Sequence, residues 1–248
     1  MTGTARRTPA SDRHRVPDPG ERPGWHARVG RVIDIVASGV LFDMDGTLVD
    51  STAVVEATWT RFGVEHGIDP AEILAFSHGR QAISTIQRFL PDLDHDEQLR
   101  IAAGLVAEER ESIEGISEVP GAGAFVSRLV DAGVPVAIVT SAPRDLAVER
   151  MQAAGVHVPE ALVASEDVEH GKPHPDGYLR GAALLGVDAA DCVAFEDAPA
   201  GLEAAIASGA TTVVVGTLEA DVTAGLYRVG GYDGISVERE GTAFRIRG

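Results

Sequence analysis

The stretch Gly39-Val40-Leu41-Phe42-Asp43-Met44-Asp45-Gly46-Thr47 decides how this chain is read. Its apolar half makes a buried strand, and the strand ends on two carboxylates two positions apart. Residues spaced that way can face one pocket across a tight turn. Gly46 suits a turn that needs unusual dihedrals, and Thr47 offers a hydroxyl to backbone or phosphate. Two such charges repel: at ~4 Å and an effective dielectric of about 20 the cost is ~4 kcal/mol. A divalent cation or a shared proton relieves it. The plain alternative is an acidic turn after a strand, and these residues alone do not decide between the two.

Three later segments bear on that choice. The run from Val134 to Val139 leads into the hydroxyls of Thr140 and Ser141. Gly171-Lys172-Pro173-His174-Pro175 opens a helical segment and offers a cation, and Val193-Ala194-Phe195 leads into Glu196 and Asp197. An α/β fold builds its sites in this way, at the carboxyl ends of its strands. Nucleophile candidate, hydroxyls, lysine and acidic pair, in that order and spacing, resemble the haloacid dehalogenase superfamily.

The resemblance covers about residues 39–215. DMDGTLVDS at 43–51, FSHGRQA at 76–82, VTS at 139–141, GKPHPDGYL at 171–179 and FEDAPAG at 195–201 are similar to one branch of it. That branch holds deoxyhexose-phosphate and glycerol-phosphate phosphatases, which act on small sugar and polyol phosphates. One departure is Ala142-Pro143, where such proteins usually carry a glycine after the serine.

Periodicity lays out the rest. After Asp50 the pattern turns helical: 54–66, a start at Asp69-Pro70 with Glu72 three on, Arg80 to Leu90, and Asp94 to about Ile113. From Val119 onward, helix and strand alternate at lengths that imply a parallel sheet with helices on both faces. Ile235 to Arg247, split at Glu240-Gly241, predicts a terminal hairpin. The expected architecture is α/β: a parallel, doubly wound, Rossmann-like core (37–50 and 118–248) with a small α-helical cap (51–117) inserted. Residues 1–36 are read as a disordered basic tail, with a basic binding tail as the alternative. Residues 1–31 carry seven arginines against Asp12, Asp18 and Glu21, and lack the apolar centre of a secretory signal.

Composition narrows the partners. A net charge of −17 argues against nucleic acid or an anionic membrane. No run approaches the ~20 apolar residues that span a bilayer. The single cysteine, Cys192, rules out an internal disulfide framework and fits the cytoplasm. The expected assembly is a monomer or weak homodimer.

The resemblance implies roles. Asp43 is the expected nucleophile, forming an aspartyl-phosphate, and Asp45 the acid and base for the leaving alcohol and attacking water. Mg2+ is the expected cofactor, held by the Asp43 carboxylate, the Asp45 main-chain oxygen and Asp197, with Glu196 joining directly or through water. Lys172 with Thr140 or Ser141 would grip the phosphoryl group, and His78, Gly79 and Arg80 would meet the sugar. The dull counterparts are helix caps for Thr140, Ser141, Glu196 and Asp197, a surface lysine, and a solvated turn at 78–80.

A sugar phosphomutase of the β-phosphoglucomutase kind is the nearest rival. Such enzymes place a histidine twelve residues after the nucleophile, where this chain has Val55. Dehalogenation makes no use of Asp45, and a phosphonate hydrolase wants a cap lysine, absent from 51–117. A non-enzymatic phosphosugar-binding protein would need no acid–base aspartate.

Overall fold

The computed structural model describes residues 32–248. The chain enters through β1 (Asp34–Ala37) and β2 (Gly39–Phe42) and leaves by β3 (Val49–Asp50) into four helices. These are α1 (Thr52–His66), α2 (Pro70–Ser77), α3 (Ala82–Phe89) and α4 (His95–Glu111). It returns by β4 (Ser117–Glu118) and then alternates: α5 (Ala122–Asp131), β5 (Val136–Val139), α6 (Arg144–Ala153), β6 (Ala161–Val163) and α7 (Asp176–Leu185). After these come β7 (Cys192–Glu196), α8 (Pro199–Ala207), β8 (Thr211–Val215) and β9 (Tyr227–Val229). The hairpin of β10 (Ser236–Glu240) and β11 (Ala243–Arg247) closes the chain.

The main sheet runs β6-β5-β2-β7-β8-β9, all parallel. From β2 the chain winds outward to β5 and β6, then crosses back and winds outward the other way through β7. The reversal leaves a crevice at the carboxyl ends of β5, β2 and β7, where α/β sheets hold their ligands. Strand residues are buried on both sides, as a helix-covered parallel sheet requires. Val40, Phe42, Ile138 and Phe195 join α5 and α6 residues in one core layer. Leu41, Ala137, Val139 and Ala194 meet Tyr178, Ala182, Ala204 and Ala205 in the other. Phe42 and Phe195 stack at 5.1 Å between ring centroids. This contact locks β2 beside β7 one residue below Asp43 and Glu196, so the site stands on packed aromatics.

The helical insert has its own small core of Trp59, Phe62, Ile73, Ile86, Ala102 and Leu105. Asp69 caps α2 by accepting from the Ala71 amide at 2.9 Å, and Asp94 caps α4 from Glu97 at 2.8 Å. Among the described residues no helix is long and apolar enough to cross a membrane.

Three features of the strands differ from the sequence reading. Residues 34–36, assigned above to the tail, belong to β1, which pairs antiparallel with β11 from Asp34↔Arg247 to Ala37↔Phe244. Ile33, Ile35 and Ala37 point inward between exposed Val32, Asp34 and Val36, an alternation whose partner lies at the far end of the sequence. The rest of the tail assignment, 1–31, lies outside the described residues. The two-residue ladder of β3 and β4, at the neck of the insert, is too short to carry a periodic signal. The third, β9, extends the sheet beyond β8.

Candidate active site

Asp43 is the first residue beyond β2, and its amide donates to the Phe195 carbonyl at 3.0 Å, so both strands hold it. The following turn is closed by the Met44 carbonyl, which accepts from Leu48 at 2.8 Å and Val49 at 2.9 Å. Gly46 sits in it with φ +82°, where a side chain would run into the Asp197 carboxylate. Thr47 donates to Asp197 Oδ1 at 2.9 Å, and its carbonyl accepts from the buried Tyr232 hydroxyl at 3.0 Å. The turn thus delivers Asp43 and Asp45 to one crevice beside Asp197.

The two aspartates have different company. Lys172, on the loop before α7, donates to Asp43 Oδ1 and, at 2.7 Å, to Glu196 Oε1. It is the only lysine in the sequence, and it is buried. Tyr178 also donates to Glu196 Oε1, at 3.2 Å, while Oε2 accepts from the Asp197 and Ala198 amides at 2.8 and 2.9 Å. Asp45 faces the other way. Its Oδ1 accepts from Ser51 at 2.6 Å and from Arg150 Nη1 at 2.9 Å.

Ligand oxygens of Asp43, Glu196 and Asp197 lie within 4.8 Å of one another. Burial pushes Asp43 up to about 8; Lys172 pulls against that and Glu196 adds to it. Burial, with Glu196 and Asp43 nearby, holds Asp197 well above the carboxylate range. Lys172 stays above its ordinary value despite burial, because Asp43 and Glu196 both favour the ammonium. One lysine among two buried carboxylates and the half-buried Asp197 leaves negative charge that protons or a cation must balance. Hard oxygen donors at this spacing fit a divalent cation of the magnesium type.

Thr140 and Ser141 follow β5 and line the same crevice. Thr140 Oγ1 accepts from the Ala142 amide at 3.1 Å. Ser141 donates to the Gly79 carbonyl at 2.9 Å, tying core to insert. Gly79 has φ +75°, and a side chain there would meet Ala198 Cβ at 2.8 Å, so the 78–80 loop lies directly on the core. His78 and Arg80 line the cavity; Arg80 sits over the Phe76 ring at 4.4 Å, and His78 Nε2 lies 3.9 Å from Glu56. The cavity between core and insert measures 510 Å³.

Sequence reasoning missed Ser51, Arg150 and Glu109. Arg150 is buried, and its Nη2 donates to Glu109 Oε2 on α4 at 3.0 Å. A signal existed. Leu146, Ala147, Arg150 and Met151 form the buried stripe of α6, and Ala102, Leu105 and Glu109 lie on that of α4. One charge on each apolar face, of opposite sign, marks a pair across the interface.

A model of the family "haloacid dehalogenase-like hydrolase" matches residues 37–209. Hexitol phosphatase A of Escherichia coli (strain K12) is 44% identical over 177 residues, covering 71% of this chain and 82% of that protein. The 2-deoxyglucose-6-phosphate phosphatase 1 of Saccharomyces cerevisiae is 35% identical over 194 residues, 70% of this chain and 77% of its own. In fold, a hydrolase from Pseudomonas syringae superposes with a TM-score of 0.69 at 24% identity, covering 77% and 92% of the two chains.

Proposed function

The chain belongs to the haloacid dehalogenase-like hydrolase family, and from that premise we propose that it is a magnesium-dependent phosphatase of small sugar or polyol phosphates. The observation that carries this reading is the separate holding of two carboxylates on one turn. Asp43 is gripped by Lys172 within the buried acidic cluster, while Asp45 is held by Ser51 and Arg150 at the cavity. Carboxylates in different surroundings can take different protonation roles.

Asp43 attacks phosphorus and becomes the aspartyl-phosphate, and Asp45 gives its proton to the departing alcohol. Asp45 then takes a proton from the water that hydrolyses the acyl phosphate. Lys172 orients Asp43 and offers its charge to the phosphoryl oxygens. Thr140 is assigned to that group, with Ser141 beside it donating instead to the Gly79 carbonyl, and the 78–80 loop faces the alcohol. Asp43, Asp197 and the Asp45 carbonyl would hold magnesium, which supplies positive charge against the phosphoryl oxygens. Glu196, with donors on both oxygens, is assigned an anchoring role for Lys172 and the 197–198 turn rather than direct ligation.

The phosphomutase reading lacks its histidine, since Val55 lines the cavity at that position. A pure binding role leaves Asp45 at the cavity without a task. The test is phosphate release from a panel of hexitol, deoxyhexose and glycerol phosphates with and without magnesium. Magnesium-dependent turnover of one or more is expected; no release from any member overturns the proposal.

A further inference from the structure

Arg150 is 2% exposed and reaches two carboxylates on different bodies: Asp45 in the core and Glu109 in the insert. Among the described residues its Nε is buried without a partner. Such an arrangement is a poor stability device, because an apolar side chain of similar volume would serve a core at least as well. The geometry at Asp45 is more telling. Arg150 and Ser51 both donate to Oδ1, which leaves Oδ2 without a donor among the described residues, on a side chain 28% exposed at the cavity. Pinning one oxygen aims the other.

Both donors also depend on the insert. Ser51 directly follows β3, at the neck where the insert leaves the core, and Arg150 is braced from the far side by Glu109 near the end of α4. The planar guanidinium spans the two carboxylates at fixed separation, which a lysine could not do.

We propose that Arg150 is the positioning residue for Asp45, and that Glu109 makes this positioning conditional on the insert being seated against the core. The acid would then be aimed only once the site is closed to water. This rests on the phosphatase reading above, and it names the element that couples closure to proton delivery.

Full-length wild type, Arg150→Met, Arg150→Lys and Glu109→Gln should be compared with magnesium on a hexitol phosphate and on p-nitrophenyl phosphate. The first leaving group needs a proton; p-nitrophenolate leaves without one. The quantity read is kcat/KM, which reports steps up to loss of the alcohol, so hydrolysis of the aspartyl-phosphate does not enter. Arg150→Met should lose about 10- to 100-fold on the hexitol phosphate, and no more than about threefold on the aryl ester if orientation alone is lost. Arg150→Lys and Glu109→Gln should show the same selective loss at smaller size. They carry the test if Arg150→Met fails to fold. Equal slowing of both esters in the folded variants, or no slowing, overturns the positioning role while leaving the phosphatase reading intact. A wild type inactive on both esters defeats that reading and this inference with it.

Discussion

Two ion-pair networks meet at the crevice, and they are built on opposite plans. Asp43, Lys172 and Glu196 form a closed set within the core, each at or beyond the end of a strand or on the loop before α7. Asp45, Arg150 and Glu109 form an open set that bridges core and insert through two helices. The lesson is a division of labour: the core alone defines the nucleophile's surroundings, whereas the acid's surroundings require docking of a second body. Disturbing the first should damage the site itself, and disturbing the second should damage its timing.

The largest effect belongs to the closed network. Asp43→Asn keeps the shape but removes the anionic nucleophile, so turnover should fall to background while circular dichroism and melting remain those of a folded protein. Near-normal turnover would break the distinction at its root. Lys172→Met should come next. Removing one partner of a buried ionic set costs about 3–5 kcal/mol, and Asp43, Glu196 and Asp197 would be left facing one another. Denaturant unfolding should report that loss, with magnesium restoring part of it. A Lys172→Met protein as stable as wild type would mean the cluster is balanced by other means.

A third expectation concerns pH. In the metal-free protein Asp43 sits at about 8, raised chiefly by burial. A raised carboxyl stabilises the fold at low pH, and that contribution is lost as pH climbs from the ordinary value of ~4 toward the folded value. The melting temperature without magnesium should therefore fall between pH 6 and 8. Magnesium competes with the same protons, so its stabilising shift should be larger at pH 8 than at pH 6. An equal shift at both would separate metal binding from the buried cluster.

The smallest effect is expected at the insert's loop. Arg80→Ala or His78→Ala should cost on the order of 1–3 kcal/mol in kcat/KM for a preferred sugar phosphate, and less for p-nitrophenyl phosphate. Uniform slowing of all substrates would assign the loop to closure instead of selection.

The contrast between the networks also explains what the sequence disclosed. Asp43, Thr140, Glu196 and Asp197 were legible because each follows an apolar run, and Lys172 because its loop opens a helix. Position at a strand end is a local property. Arg150 and Glu109 lie inside helices whose apolar stripes they interrupt, and nothing local says the two meet. β1 was hidden for the same reason, since Asp34 finds its partner at Arg247. Ser141 was read as a phosphate donor, yet its hydroxyl is spent on the Gly79 carbonyl, a contact that depends on where the insert lands. Features fixed by the strand ends could be read, and features fixed by docking could not.

The central claim is that two aspartates on one turn perform separate steps, and trapping the covalent intermediate tests it most directly. Asp45→Asn should be mixed with p-nitrophenyl phosphate and magnesium, acid-quenched, and mapped by peptide mass spectrometry beside Asp43→Asn. The account predicts phosphate on Asp43 in the Asp45→Asn protein, accumulating because its hydrolysis lacks a base, and none in Asp43→Asn. Phosphate on another residue, or no adduct in Asp45→Asn despite release of p-nitrophenolate, would contradict it.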